Sequence, residues 1–179
     1  MKALVIYGTR WGGTVGIAKK IGEVLKEEGY DVDVVDCKKN PQTLNSYGLF
    51  VVGSGIKGDK WTKETTNFLE KNAELLRAKK TALFVSCYMS CSEQKTREKG
   101  KNLYLEKVAE KYGLKPICLG FFGAFMDFRK SHGLLVDILV RVNRKSLRER
   151  GLDTSKVHDT RDWDAIEAWA RQVAKSCMK

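Results

Sequence analysis

The chain has 179 residues, 42% of them hydrophobic, with a formal charge of +11 and five cysteines. That length supports one core and a single domain over 1–179; no run reaches the roughly 18–20 apolar residues of a membrane-spanning helix, and Met1 and Lys2 lead into strand-like sequence without the apolar stretch of a secretory signal. An odd cysteine count in such a chain fits reduced thiols and a cytoplasmic location better than a disulfide scaffold. No metal site is expected: Cys87 and Cys91 are spaced C-x-x-x-C and His132 and His158 stand far apart, whereas structural zinc takes four ligands in tighter pairs. The positive charge bears on partners rather than fold, since nucleic acid, anionic membrane, acidic protein and phosphorylated ligands are all attracted to it.

Taken in order, apolar runs alternate with helical stripes. "KALVIY" (2–7) is a continuous apolar run of the kind buried on both faces of a parallel sheet. After it, Ile17, Ala18, Ile21, Val24 and Leu25 share one helical stripe, with Lys19, Lys20, Glu23 and Lys26 outside it. "YDVDVVDC" (30–37) alternates as a strand near a sheet edge does, and "GLFVVGS" (48–54) and "TALFVSC" (81–87) are further buried runs. Between those two, "TKETTNFLEKNAELL" reads as one helix carrying Phe68, Leu69, Ala73 and Leu76 on a face. "TREKGKNLYLEKVAEKYG" predicts another helix, with Tyr104, Leu105, Val108, Ala109 and Tyr112 at helical spacing and a stop at Gly113. "KPICLGFFGAF" (115–125) is the fifth strand, and Asp162 starts a last helix with Ile166, Trp169, Ala170, Val173, Ala174 and Cys177 inward. Cys37, Cys118 and Cys177 fall at strand or core positions. Five strands alternating with helices predict an open parallel α/β sheet with helices on both faces, and ligands in such sheets bind outside the carboxyl ends of the strands.

Three loops lie at those ends. After Tyr7 the chain reads Gly8, Thr9, Arg10, Trp11, Gly12, Gly13, Thr14 before the first helix. Free N–H groups and the positive end of the helix dipole suit a phosphate there, with the hydroxyls of Thr9 and Thr14 as added donors. The loop lacks the Gly-Lys-Ser/Thr of a P-loop and a clean G-x-G-x-x-G; on its own it also fits an ordinary βα turn. "GSGIKGDKW" follows the third strand and "SCYMSCSEQ" the fourth.

"VIYGTRWGGTVGIAKKIGEVL" is similar to the first strand, phosphate loop and first helix of the flavodoxin family, with Thr9, Gly12 and Thr14 where the family pattern asks for them; Gly13 stands where Asn is common and Trp11 where a small hydroxyl residue is usual. The resemblance spans about the whole chain. It implies a flavodoxin-like fold, a five-stranded parallel sheet of order 2-1-3-4-5, with FMN as cofactor. It also implies cofactor-binding residues Thr9, Arg10, Trp11, Gly12, Gly13 and Thr14 in the first loop, Ser54, Gly55, Ile56, Lys57 and Gly58 in the second, and Ser86, Cys87, Tyr88 and Met89 in the third. Tyr88 is placed to stack on a flavin face. Trp61 is placed either to do the same on the other side or to anchor the following helix. Cys87 and Cys91 are readable as a redox pair beside the flavin or as small buried residues.

Ordinary flavodoxins are acidic, and this chain is basic. Much of the excess lies in "FRKSHGLLVDILVRVNRKSLRERG" (128–151), within an insertion over 126–158. There Leu134, Leu135, Ile138, Leu139 and Val142 form an apolar stripe among Arg129, Lys130, Arg141, Arg144, Lys145, Arg148 and Arg150. Such a helix either packs on the protein with a solvated basic face or lies on an anionic bilayer. The layout from the fifth strand onward, ending in "TRDWDAIEAWARQVA", resembles the menaquinone-dependent protoporphyrinogen dehydrogenases, as does the Thr-Arg of "GTRWGGT". That resemblance implies an FMN enzyme passing electrons from a porphyrinogen to membrane quinone, with Arg129, Lys130 and Arg141 as candidates to meet propionates. The broader flavodoxin resemblance implies an electron carrier between redox partner proteins, acidic ones such as ferredoxin-like donors, with no catalytic side chain; this is the leading expectation and the porphyrinogen enzyme is the alternative. Packing on the protein is the default for the insertion, with peripheral contact with anionic membrane or quinone as the sharper alternative. Nucleic acid is disfavoured, because no binding motif is present and the three loops would have no role.

Overall fold

β1 (Lys2–Gly8) is apolar from Ala3 to Tyr7 because it is an interior strand. Parallel neighbours flank it on both sides, β2 (Asp31–Asp36) and β3 (Leu49–Gly55), with Val5 opposite Val34 and Val51. β4 (Lys80–Ser86) and β5 (Cys118–Phe122) complete a five-stranded parallel sheet in the order β2-β1-β3-β4-β5. The computed structural model describes residues 1–39, 41, 43–127, 134, 138, 141, 142, 145, 153 and 155–178.

Period-two alternation sends successive side chains of each strand into different cores. Ala3 and Val5 join Val51 and Phe84 beneath α1 (Gly13–Glu27) and α6 (Trp163–Cys177). Leu4 and Ile6 join Phe50, Val52, Leu83 and Val85 beneath α2 (Lys63–Lys71), α3 (Ala73–Ala78) and the α4–α5 segment (Gln94–Lys101 and Lys107–Tyr112). Burying a Leu, Ile or Phe in either layer contributes roughly 1.5–3 kcal/mol, so the sheet is held from both sides. All five inward residues of the first predicted helix, and all six of the last, are buried. Asp162 caps α6 by accepting the Ala165 N–H at 2.9 Å. Gly113 closes α5 in the left-handed region at φ 63. The alternating segment 30–37 is the edge strand β2.

Three expectations need correction. The single helix over 62–76 breaks at Asn72, whose backbone N–H and side-chain amide both bond the Phe68 carbonyl, ending α2 and starting α3; Ala73 is only half-buried. The helix ending at Gly113 contains a π-helical turn over Asn102–Glu106, which separates α4 from α5. The strand foreseen over 115–125 stops at Phe122, and a second short strand β6 (Phe125–Asp127) pairs antiparallel with β7 (Val157–Asp159), Met126 opposite His158. The ends of the segment between β6 and β7 therefore lie side by side. Of the insertion's stripe, Leu135, Leu139, Arg129, Lys130, Arg144, Arg148 and Arg150 lie outside the described residues. Leu134, Ile138, Arg141, Val142 and Lys145 are helical and exposed.

Candidate functional site

The carboxyl ends of β1, β3 and β4 bring the three loops around one cavity of about 260 Å³. The first loop turns through Gly12, which adopts the left-handed region at φ 83, and its N–H donates to Thr9 Oγ1 at 2.9 Å. Thr9 thus shapes the loop as an acceptor and keeps its own hydroxyl proton for another partner. No side chain caps α1 and no acid stands in its first turn, so the positive end of the helix faces the cavity without a built-in counter-charge. Thr14 is buried at the base. Gly13 sits at a close approach: a Cβ there would lie 3.1 Å from Phe125 Cβ and 3.2 Å from its backbone N, so the ribbon would have to give by a few tenths of an ångström.

The second loop is a tight turn. Lys57 and Lys60 exchange backbone hydrogen bonds at 3.1 and 3.2 Å, with Gly58 at φ 55 and Asp59 at φ 58, the geometry of a two-residue turn with both central residues left-handed. Asp59 accepts the Tyr104 hydroxyl, which holds this non-glycine residue in place. Burial first, then the Asp59 carboxylate, pushes the Tyr104 phenol well above its ordinary range, so it remains a donor. Ser54 Oγ accepts the Thr62 N–H at 2.9 Å and donates to the Gly55 carbonyl at 3.0 Å, bracing the loop base.

The third loop is tied to the second and to β5: Ile56 N–H donates to Ser86 O at 3.1 Å, Ser86 Oγ to Gly123 O at 2.9 Å, and Cys87 N–H to Phe122 O at 2.9 Å. Tyr88 is half-buried on the cavity wall. Cys87 is buried, which pushes its thiol up, while Cys91 is exposed with its thiol 3.6 Å from Thr160 O; both are free.

Of the residues anticipated from sequence, Thr9, Arg10, Trp11, Gly13, Thr14, Gly55, Ile56, Lys57, Gly58, Ser86, Cys87 and Tyr88 line this one cavity. Gly12, Ser54 and Met89 do not, and serve as turn, brace and packing against Tyr104, whose hydroxyl is 3.4 Å from Met89 Sδ. Trp61 takes the helix-anchor alternative: it is buried in the core and donates its indole N–H to Tyr104 O at 2.7 Å. Sequence reasoning missed Ala124, Phe125 and Met126, which form the fourth wall. The only signal for them was the Gly123–Ala124 break in an aromatic run. It also missed Arg161, which donates to Gly13 O at 3.3 Å and to Asp159, and lies over the rings of Phe125 and Trp163 at 4.8 and 4.5 Å. Arg161 fastens the phosphate loop to the β6–β7 ribbon. Its guanidinium holds the Asp159 carboxyl below the usual range.

An uncapped helix start with hydroxyl donors, two loops joined by backbone bonds, and a 2-1-3-4-5 sheet define a flavodoxin-type nucleotide site. The chain belongs to the flavodoxin domain family, whose model matches residues 4–130. Across its length it is similar to the protoporphyrinogen IX dehydrogenase [quinone] of Escherichia coli K12, 26% identical, covering 97% of this chain and 95% of that protein. The fold is shared with a flavodoxin from the domain Archaea, at TM-score 0.62, 17% identity and full coverage of both chains. It is shared too with a flavoprotein in complex with FMN from Lactobacillus acidophilus NCFM, at TM-score 0.50 and 16% identity over 67% of this chain and 92% of that one.

FMN is the cofactor of the flavodoxin domain, and the residues here fit it. The Gly13 and Thr14 backbone with the Thr9 and Thr14 hydroxyls suits a phosphate dianion, and the Tyr88 and Trp11 rings suit an aromatic system. When bound, the flavin supplies the redox centre that accepts and returns electrons. Among the described residues lining the cavity there is no carboxylate and no histidine; the three loops bind and orient the cofactor and exclude water.

Proposed function

We propose that this FMN-binding redox protein is an oxidoreductase of the protoporphyrinogen dehydrogenase type, taking electrons from a porphyrinogen and passing them to a quinone at the membrane surface. The observation that supports it is the extent of the similarity. The flavodoxin model accounts for residues 4–130, but the likeness to the E. coli enzyme runs over 97% of the chain, including the β6–β7 ribbon and the insertion that it brackets. For each two-electron oxidation of the porphyrinogen, one quinone is reduced to quinol, and the protons lost by the donor balance those taken up by the acceptor.

The membrane side of this reading draws on the insertion. Leu134, Ile138 and Val142 are helical at 77%, 48% and 76% exposure, at the i, i+4, i+8 spacing of one face, with Arg141 and Lys145 exposed beside them. That combination suits an anionic bilayer surface. Among the described residues no helix is long and apolar enough to cross a membrane, so contact would be peripheral.

A described cavity wall with neither carboxylate nor histidine favours a second reading, a carrier between protein partners. One experiment separates them: the FMN-loaded protein is mixed anaerobically with protoporphyrinogen and a soluble menaquinone analogue, and porphyrin fluorescence is followed. Quinone-dependent porphyrin formation supports the enzyme. Reversible flavin reduction without porphyrin formation supports the carrier. Flotation with anionic vesicles that is lost on deleting residues 130–148 supports the membrane contact, and unchanged flotation refutes it.

A further inference from the structure

Next to the flavin cavity lies a second, larger hollow of about 560 Å³. Its volume falls in the range of small-molecule sites, roughly 300–1,000 Å³. The Lys57–Lys60 turn is the partition: Gly58 faces the flavin cavity, Asp59 and Lys60 face the hollow, and Lys57 and Arg10 line both. A molecule seated in the hollow is therefore within one turn of the cofactor.

The composition of the lining is selective. Arg10, Lys57, Lys60, Lys63 and Lys111 stand around the rim, and none of them is in an ion pair with another described residue. The single carboxylate among the described lining residues, Asp59, is engaged by the Tyr104 hydroxyl. The floor is apolar, built from Trp61, Leu103, Val108 and Tyr112, with Leu103 37% exposed although it has packed neighbours on its own turn. The π-helical turn Asn102–Glu106 presents Leu103 and Tyr104 here, and such turns are frequent at functional sites. A rim of like charges around an apolar floor is self-repelling without a ligand, and it is complementary to an apolar body with several anionic groups at its edge.

We infer that this hollow is the docking site of the electron donor, a macrocyclic apolar molecule bearing two or more carboxylates, with the floor taking the ring system and the cations taking the carboxylates. The inference rests on the dehydrogenase reading for the identity of that donor. An acidic protein surface would meet the charges but not fill a concave apolar floor, which favours a small molecule.

The test uses the FMN-loaded protein and coproporphyrin, a soluble planar tetracarboxylate already oxidised and so unable to turn over, with binding read by porphyrin fluorescence. A tetracationic N-methylpyridyl porphyrin of similar shape is the charge control. Coproporphyrin is expected to bind and the cationic porphyrin not. The double variant Lys60→Glu/Lys111→Glu and the single variant Leu103→Glu should each weaken coproporphyrin about tenfold or more while changing FMN affinity by less than about twofold. Coproporphyrin affinity unmoved by either variant overturns the proposal, as does displacement of the probe by NADPH, which would assign the hollow to a dinucleotide. Variant-sensitive binding without porphyrinogen oxidation upholds the hollow and overturns the dehydrogenase reading. Oxidation that proceeds unchanged in both variants does the reverse.

Discussion

The flavin cavity and the basic hollow share two residues, Arg10 and Lys57, yet are made of different materials. The cavity is walled largely by backbone and small side chains whose hydrogen bonds run to one another: Thr9 with Gly12, Ile56 with Ser86, Ser86 with Gly123. The hollow is rimmed by long cations without ion-pair partners among the described residues. Groups already fixed lose little entropy on binding, whereas each ordered lysine costs up to about 2 kcal/mol of rotamer freedom. The first arrangement suits a cofactor held through many turnovers, and the second a ligand that arrives and leaves.

The same contrast explains what was legible in the sequence. Each flavin loop is a contiguous stretch at a strand end, so glycine and hydroxyl spacing revealed it, and twelve of the fifteen anticipated residues line the cavity. The hollow joins residue 10 to 57–66 and 103–112, and no local pattern connects those segments. Trp61 was ambiguous because an aromatic at a loop end serves either a ring or a core; only the Tyr104 carbonyl decides it. The β6–β7 ribbon was hidden because three-residue strands carry almost no periodic signal, and Arg161 because its partners Gly13 and Phe125 are remote in sequence.

Changes to the fixed wall should have the largest effects. A Cβ on Gly123 would sit 1.9 Å from the Thr160 carbonyl oxygen, a backbone atom that cannot swing away. Gly123→Ala is expected to cost about 2–4 kcal/mol and to release the Ala124–Met126 wall. Thermal melts with and without FMN check this; a variant that melts like the parent and retains FMN would show the ribbon to be pliant. Arg161→Ala removes the link between phosphate loop and ribbon and should cost about 2–3 kcal/mol, with weakened FMN binding.

Thr14→Ala takes one hydroxyl from the phosphate site and nothing from the fold. FMN affinity should fall by about 1–2 kcal/mol, roughly five- to thirtyfold, with little change in the apoprotein's melting temperature. Unchanged affinity would contradict the phosphate-loop assignment. On the far side of the partition, Tyr104→Phe leaves the Asp59 carboxylate without its donor and should loosen the turn by about 1 kcal/mol. The expected readout is faster amide exchange at Gly58–Lys60, with FMN affinity moved less than by Thr14→Ala.

The smallest effect concerns acid. Arg161 holds the Asp159 carboxyl below its ordinary range, and Tyr47 with Lys2 does the same for Asp33. A carboxylate whose folded pKa is depressed binds fewer protons in the folded than in the unfolded chain. Its stabilisation is therefore complete above the unfolded value of about 3.9 and drains away as pH falls through the lower folded value. Asp33 lies in the edge strand β2, away from the cavity, whereas Asp159 is tied to it through Arg161. The stability gap between the parent and Arg161→Ala should hence be constant from pH 7 to about 5 and narrow below about 4, as Asp159 protonates and the salt link loses its charge. Asp33→Asn should show an acid-sensitive gap of the same sign without altering FMN affinity at any pH. If FMN affinity tracked Asp33 as well, the fixed wall would extend through β1 to the sheet edge, and the boundary between the cofactor site and the rest of the fold would have to be redrawn.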